Sequence, residues 1–131
     1  MNIFDIGIDI IEIKRIKDAI EKNPRFLEKM FTENEIKYFK LNGFRYESIA
    51  GNFAAKEAIS KAIGTGIRDF KFKDIEVLRN ELGKPIVKTY NNLNNICIKY
   101  NVIDIKVSIS HCKDYAVANA ITIVKEWENE K

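Results

Sequence analysis

Cysteine, histidine and proline are scarce in this chain: 131 residues hold two cysteines, two prolines, one histidine and one tryptophan. Two cysteines, Cys97 and Cys112, do not amount to a disulfide framework, and both read as free thiols. With one histidine and no cysteine cluster, zinc lacks its usual ligands. No apolar run is long enough to span a bilayer. The first nine residues carry acids where a secretory leader has lysines and an unbroken apolar run, so a cytoplasmic location is the expectation. The Gly-x-x-x-x-Gly-Lys-Ser/Thr pattern of a P-loop is missing, which disfavours generic NTPase activity. A net charge of +3 is too small for wholesale nucleic-acid binding. Repeats, linkers and low-complexity segments are missing too.

What is present describes a globular protein. Apolar residues make up 46% and charged residues 31%, and the length suits one domain, 1–131. Residues 3–11 alternate, with Phe4, Ile6, Ile8 and Ile10 on one side and Asp5, Gly7 and Asp9 on the other, the period of a half-buried strand. Gly7 is expected to leave open space beside Asp9 for a metal or a phosphate; the competing reading makes Asp9 the cap of the next helix. Helices are predicted over 12–21, briefly over 26–30, from the Thr32/Glu35 capping box to Leu41, and over 46–63. Residues 72–79 and 86–90 read as one hairpin, 91–100 as a weak helix, and 103–110 with 115–124 as a second hairpin. This order predicts an α+β fold with helices packed on an antiparallel sheet.

The stretch from Phe53 to Gly66 organises the rest. Ala54, Ala58 and Ala62 share one helical face that must be buried, and a glycine pair closes the helix. On a neighbouring stripe, Glu57 and Lys61 stand one turn apart: either an i,i+4 pair on a solvated face or a carboxylate and an ammonium open to a ligand. Asp9, Glu57, Lys61, the loop Gly64-Thr65-Gly66, Ser108, Ser110 and His111 form the candidate polar set. Two carboxylates favour a hard cation such as Mg²⁺, held together with substrate phosphates. Lysine, loop amides and histidine suit phosphate oxygens. The chemistry this set serves is phosphoryl transfer or pyrophosphate cleavage. His111 alone reads equally as a satisfied turn residue. Lys14, Arg15, Lys17, Lys22, Arg25 and Lys29 crowd one region, a solvated helix face or a dock for an acidic partner.

Five motifs in order, Gly7-Ile-Asp9-Ile-Ile-Glu-Ile-Lys-Arg15, Phe31-Thr-Glu-Asn-Glu35, Phe53-Ala-Ala-Lys-Glu57-Ala-Ile-Ser-Lys61-Ala-Ile-Gly-Thr-Gly66, Gly83-Lys-Pro85 and Ser108-Ile-Ser110-His111, resemble the bacterial holo-[acyl-carrier-protein] synthase family. The resemblance implies a 4′-phosphopantetheinyl transferase fold, a homotrimer with sites between subunits, and transfer of 4′-phosphopantetheine from coenzyme A to a serine of apo-acyl carrier protein. Carried over by position, Asp9 and Glu57 hold Mg²⁺, and Lys61 neutralises the pyrophosphate. Gly64, Thr65 and Gly66 border the pantetheine or phosphates, and His111 lies on the phosphate side. Arg15, Lys22, Arg25 and Phe26 meet the carrier protein, and Glu57 or a water on the metal takes the serine proton. The chain departs from the family at Asn52, where an arginine is common, so that a charged contact to the 3′-phosphate is either missing or supplied by Arg45, and at Cys112, where a hydroxyl residue is usual. The alternatives are a non-catalytic module docking an acidic protein and a metal-dependent phosphohydrolase.

Overall fold

A computed structural model describes residues 2–64 and 70–125. In chain order the elements are β1 (Asn2–Glu12), α1 (Ile13–Lys22), α2 (Phe26–Met30), α3 (Glu33–Leu41), α4 (Tyr46–Ala62), β2 (Ile75–Arg79), β3 (Pro85–Thr89), α5 (Asn91–Lys99), β4 (Val102–His111) and β5 (Tyr115–Val124). The fold is α+β. An antiparallel sheet in the order β1-β5-β4 carries α4 on one face, and β2 and β3 form a separate antiparallel pair. Predicted and observed elements agree in type and differ by a few residues at their ends. The largest difference is at Phe72–Asp74, a 3₁₀ turn rather than strand, because the Asp74 carboxylate accepts from the Lys71 amide at 3.1 Å and curls the chain.

Helix α4 is buried on most of its circumference. Ala54, Ala58 and Ala62 are fully buried, as small residues must be where a helix lies flat on a sheet. At Gly7 the approach is closer than any side chain allows: a Cβ there would sit 2.0 Å from the Ala58 carbonyl oxygen and 2.9 Å from the Ala62 amide nitrogen. Gly51 makes the matching contact with β4, where an added Cβ would lie 2.8 Å from Ile109 Cγ2. The space expected beside Gly7 for a metal or phosphate is therefore filled by helix backbone. Nor does Asp9 cap α1: the cap position is Glu12, whose side chain makes no capping bond.

A second face of α4 carries Asn52, Lys56 and Ser60, polar and buried. Lys56 Nζ donates to Glu35 Oε1 at 2.6 Å and to the carbonyls of Met30 at 2.8 Å and Phe72 at 3.2 Å, which uses all three ammonium protons. Glu35 also closes the capping box, with Thr32 N donating to its Oε1 at 2.8 Å, and accepts from the Val77 amide at 2.9 Å. One ion pair thus ties α2, α3, α4 and β2 together.

Along β1, the other face of the large sheet is left uncovered by the described residues. Ile6, Ile8 and Ile10 are 63%, 61% and 64% exposed, so the apolar side of β1 is the outer one and its polar side faces α4. Register places Ile8 beside Asn119 and Ser108 on that outer face. No helix among the described residues is long and apolar enough to cross a membrane.

Candidate active site

Because Gly7 lets β1 touch α4, Asp9, two residues on and on the same face of the strand, comes up beside Lys61 and Glu57 of the helix. Lys61 Nζ donates to the Ile8 carbonyl at 2.9 Å and faces Asp9 Oδ1 at 3.4 Å. The lysine turns to the strand instead of pairing with Glu57. Glu57 is half-buried and makes no hydrogen bond or ion pair among the described residues. Burial raises its carboxyl above the ordinary range, the nearby Asp9 carboxylate raises it further, and Lys61 partly opposes them. Two carboxylates with one half-exposed ammonium leave this corner short of positive charge. A divalent cation meets that need, and two carboxylates are as many as Mg²⁺ commonly takes from a protein when phosphates and waters complete its shell.

Gly64 follows α4 with φ of +87°, the left-handed geometry expected of a helix-ending glycine. Asp5 Oδ2 lies nearby, 3.7 Å from where a Gly64 Cβ would be. Thr65 and Gly66 fall outside the described residues.

His111 and Ser108 stand elsewhere. They line a cavity of about 570 Å³ with Ser48, Gly51, Arg79, Lys84 and Lys106. Ser48 and Glu57 are nine residues apart on α4, about two and a half turns, so they project from opposite sides of the helix. The structure brings Asp9, Glu57 and Lys61 together and does not bring His111 to them within one chain. Arg45 precedes α4, is exposed, and pairs through Nε with Glu47 at 3.2 Å. Ser110 is exposed at the sheet margin.

Sequence reasoning missed two neighbours of Glu57. One is an aromatic row: Phe26 stacks on Phe53 at 6.1 Å between centroids, and Phe53 meets Phe72 edge-on at 5.2 Å. The other is the cleft this row borders, about 660 Å³, lined by Met30, Phe53, Glu57, Phe70 and Phe72 and rimmed by Lys29, Lys71 and Lys73. The phenylalanines were visible as scattered apolar positions, but nothing in their spacing announces that they converge. Arg15, Lys22 and Arg25 are all exposed, on α1 and just before α2.

Comparison with known proteins fits these features. A model of the 4′-phosphopantetheinyl transferase superfamily matches residues 5–120. The holo-[acyl-carrier-protein] synthase of Clostridium beijerinckii is 56% identical over 119 residues, 91% of this chain and 96% of that protein. The Bacillus anthracis enzyme, solved in complex with coenzyme A (3′,5′-ADP), superposes with a TM-score of 0.77 at 42% identity over 94% of this chain and 98% of that one. The Helicobacter pylori enzyme, solved in complex with coenzyme A, gives 0.81 at 32% identity over 90% and 99%. Matched along nearly its whole length in sequence and in fold, this chain belongs to the 4′-phosphopantetheinyl transferase superfamily and, within it, to the holo-[acyl-carrier-protein] synthases.

Proposed function

We propose that Asp9, Glu57 and Lys61 form the diphosphate-handling half of the reaction this family performs, transfer of 4′-phosphopantetheine from coenzyme A to a serine of apo-acyl carrier protein. The observation that carries this reading is the Glu57 carboxylate beside Asp9, without a hydrogen-bond or ion-pair partner among the described residues. These two would hold Mg²⁺, which when bound supplies charge neutralisation for the diphosphate. Lys61, anchored on the Ile8 carbonyl, directs its remaining ammonium protons at diphosphate oxygens. The carboxyl of Glu57, held above its usual range, is also the chain's own candidate to accept the serine proton. As the serine Oγ–phosphorus bond forms, the bond from that phosphorus to the bridging oxygen breaks and adenosine 3′,5′-bisphosphate leaves.

The carrier protein docks on α1 and α2. Arg15, Lys22 and Arg25 steer its acidic surface, and Phe26, stacked on Phe53, leads its serine toward Glu57. A second copy completes the site. The His111 cavity lies on the far side of α4 from Glu57, and an α-helix with its side chains is about 10 Å across, too much for one nucleotide to wrap. The bare Ile6, Ile8 and Ile10 face supports association, and a homotrimer closes such contacts symmetrically. The setting is the cytoplasm, where fatty acids are assembled on the carrier protein.

Incubating the chain with coenzyme A, Mg²⁺ and apo-carrier protein, then weighing the carrier by mass spectrometry, tests the proposal. The expected result is a carrier heavier by one phosphopantetheine, with the gain abolished by a chelator and in Glu57→Gln. A carrier of unchanged mass with coenzyme A hydrolysed marks a phosphohydrolase. Carrier binding without reaction marks a docking module.

A further inference from the structure

Thr122, near the end of β5, carries a hydroxyl that is fully buried. Its Oγ1 accepts from the Asp5 amide at 3.1 Å and donates to the Ala62 carbonyl at 2.8 Å, with the Asp5 carbonyl, at 3.3 Å, the more distant acceptor for the same proton. Both partners sit where regular pairing is interrupted. β1 and β5 change register between Ile3 and Asp5, a bulge that disrupts the ladder just before Asp5. At the end of α4 the Ile59 carbonyl accepts from the Ile63 amide and the Lys61 carbonyl from the Gly64 amide, both at 3.0 Å. The Ala62 carbonyl is among the last four of the helix, which need partners from outside it. One side chain of β5 therefore serves a strand bulge and a helix end together.

Two ties flank the close approach at Gly7. On one side Lys61 Nζ donates to the Ile8 carbonyl at 2.9 Å. On the other, Thr122 joins Ala62, the next residue of the helix, to Asp5. Between them lies the contact of Gly7 with the backbone of Ala58 and Ala62. Apolar contact is non-directional and does little to stop a helix sliding or turning on a strand, whereas hydrogen bonds demand distance and angle. The two ties therefore set the register of α4 on β1. This inference rests on the proposed function, in which Lys61 meets the diphosphate. We propose that Thr122 is a positioning residue for transfer: by holding the Ala62 carbonyl to β1 it fixes the last turn of α4, and with it the place of the Lys61 ammonium relative to Asp9. Being fully buried, Thr122 acts through Lys61 and not on the substrate.

The test is kcat for transfer at saturating coenzyme A, Mg²⁺ and carrier protein, at a temperature where every variant is fully folded. Thr122→Val keeps the shape and loses the hydroxyl, while Thr122→Ser keeps the hydroxyl and loses a buried methyl. Both are expected to melt below the parent, but transfer is expected to follow the hydroxyl. Misplacing a group that acts on the reacting centre by up to an ångström costs about 10- to 100-fold, the fall expected in Thr122→Val, with Thr122→Ser within about threefold of the parent. Residues that act as a unit are not additive, so in a Lys61→Met background Thr122→Val is expected to add less than about threefold. A merely structural threonine would lower the melting temperature and leave kcat unchanged. Should Thr122→Val fail to fold, Thr122→Cys takes its place, since a thiol is a weak donor, and its kcat is expected well below that of Thr122→Ser. A folded Thr122→Val with the kcat of the parent, a Thr122→Ser as slow as Thr122→Val, a Thr122→Cys as fast as Thr122→Ser, or a full additive loss on top of Lys61→Met overturns the assignment while the transferase reading stands. A parent chain that transfers no phosphopantetheine overturns both.

Discussion

Lys56 and Glu57 are neighbours on one helix and opposite in kind. The Lys56–Glu35 pair is fully buried, and every ammonium proton has an acceptor. One residue later the Glu57 carboxylate has no hydrogen-bond or ion-pair partner among the described residues and sits against a second carboxylate. A complete set of bonds makes structure, and an incomplete one leaves room for a ligand. The sequence Lys-Glu carries no mark of which is which; only the direction each side chain leaves the helix decides it.

The sharpest way to break the contrast is Lys56→Ala. It leaves the Glu35 carboxylate buried without its counter-charge, and the expected cost is about 3–5 kcal/mol, read from urea unfolding. Restoring stability with a second change, Glu35→Met, is expected to be incomplete, since the amides of Thr32 and Val77 then lose their acceptor. Glu57→Gln is the counterpart. Transfer is expected to fall about 100-fold or more, with no loss of stability. The sign follows from its raised carboxyl: a group with a folded-state pKa above the unfolded one weakens the fold once pH passes the unfolded value. Removing that charge at pH 7 in the absence of metal leaves the melting temperature equal or slightly higher. Added Mg²⁺ is expected to raise the melting temperature of the parent and not of the variant.

Gly7→Ala joins the two regions. The new methyl would overlap the Ala58 carbonyl, and overpacking of this kind costs about 1–3 kcal/mol. It also pushes Asp9 away from Lys61, so activity falls with stability, unlike either single-region variant. The smallest effect is expected at the surface. Arg15→Glu should raise the KM for carrier protein several-fold at low salt and much less in high salt, with the KM for coenzyme A unchanged.

The elements themselves were legible, because alternation, the Thr32/Glu35 box and the glycine stops are local signals. The orientation of β1 was less so. Its isoleucines look like a core face, yet Gly7 and the alanines of α4 claim the inner side for small residues, and that match between distant segments is not written in either. Asp9, Glu57 and Lys61 were singled out by residue type, but their meeting, with Lys61 turned to Asp9, depends on the same backbone contact.

The bare isoleucine face of β1 has a further cost. It lies on an edge strand whose outer hydrogen-bonding groups pair with no other strand among the described residues, the combination most prone to illicit strand addition. A newly synthesised copy is therefore at risk for as long as this face stays uncovered. Slower production at lower temperature, which keeps fewer such copies in solution at once without altering the finished molecule, is the expected route to a higher soluble yield.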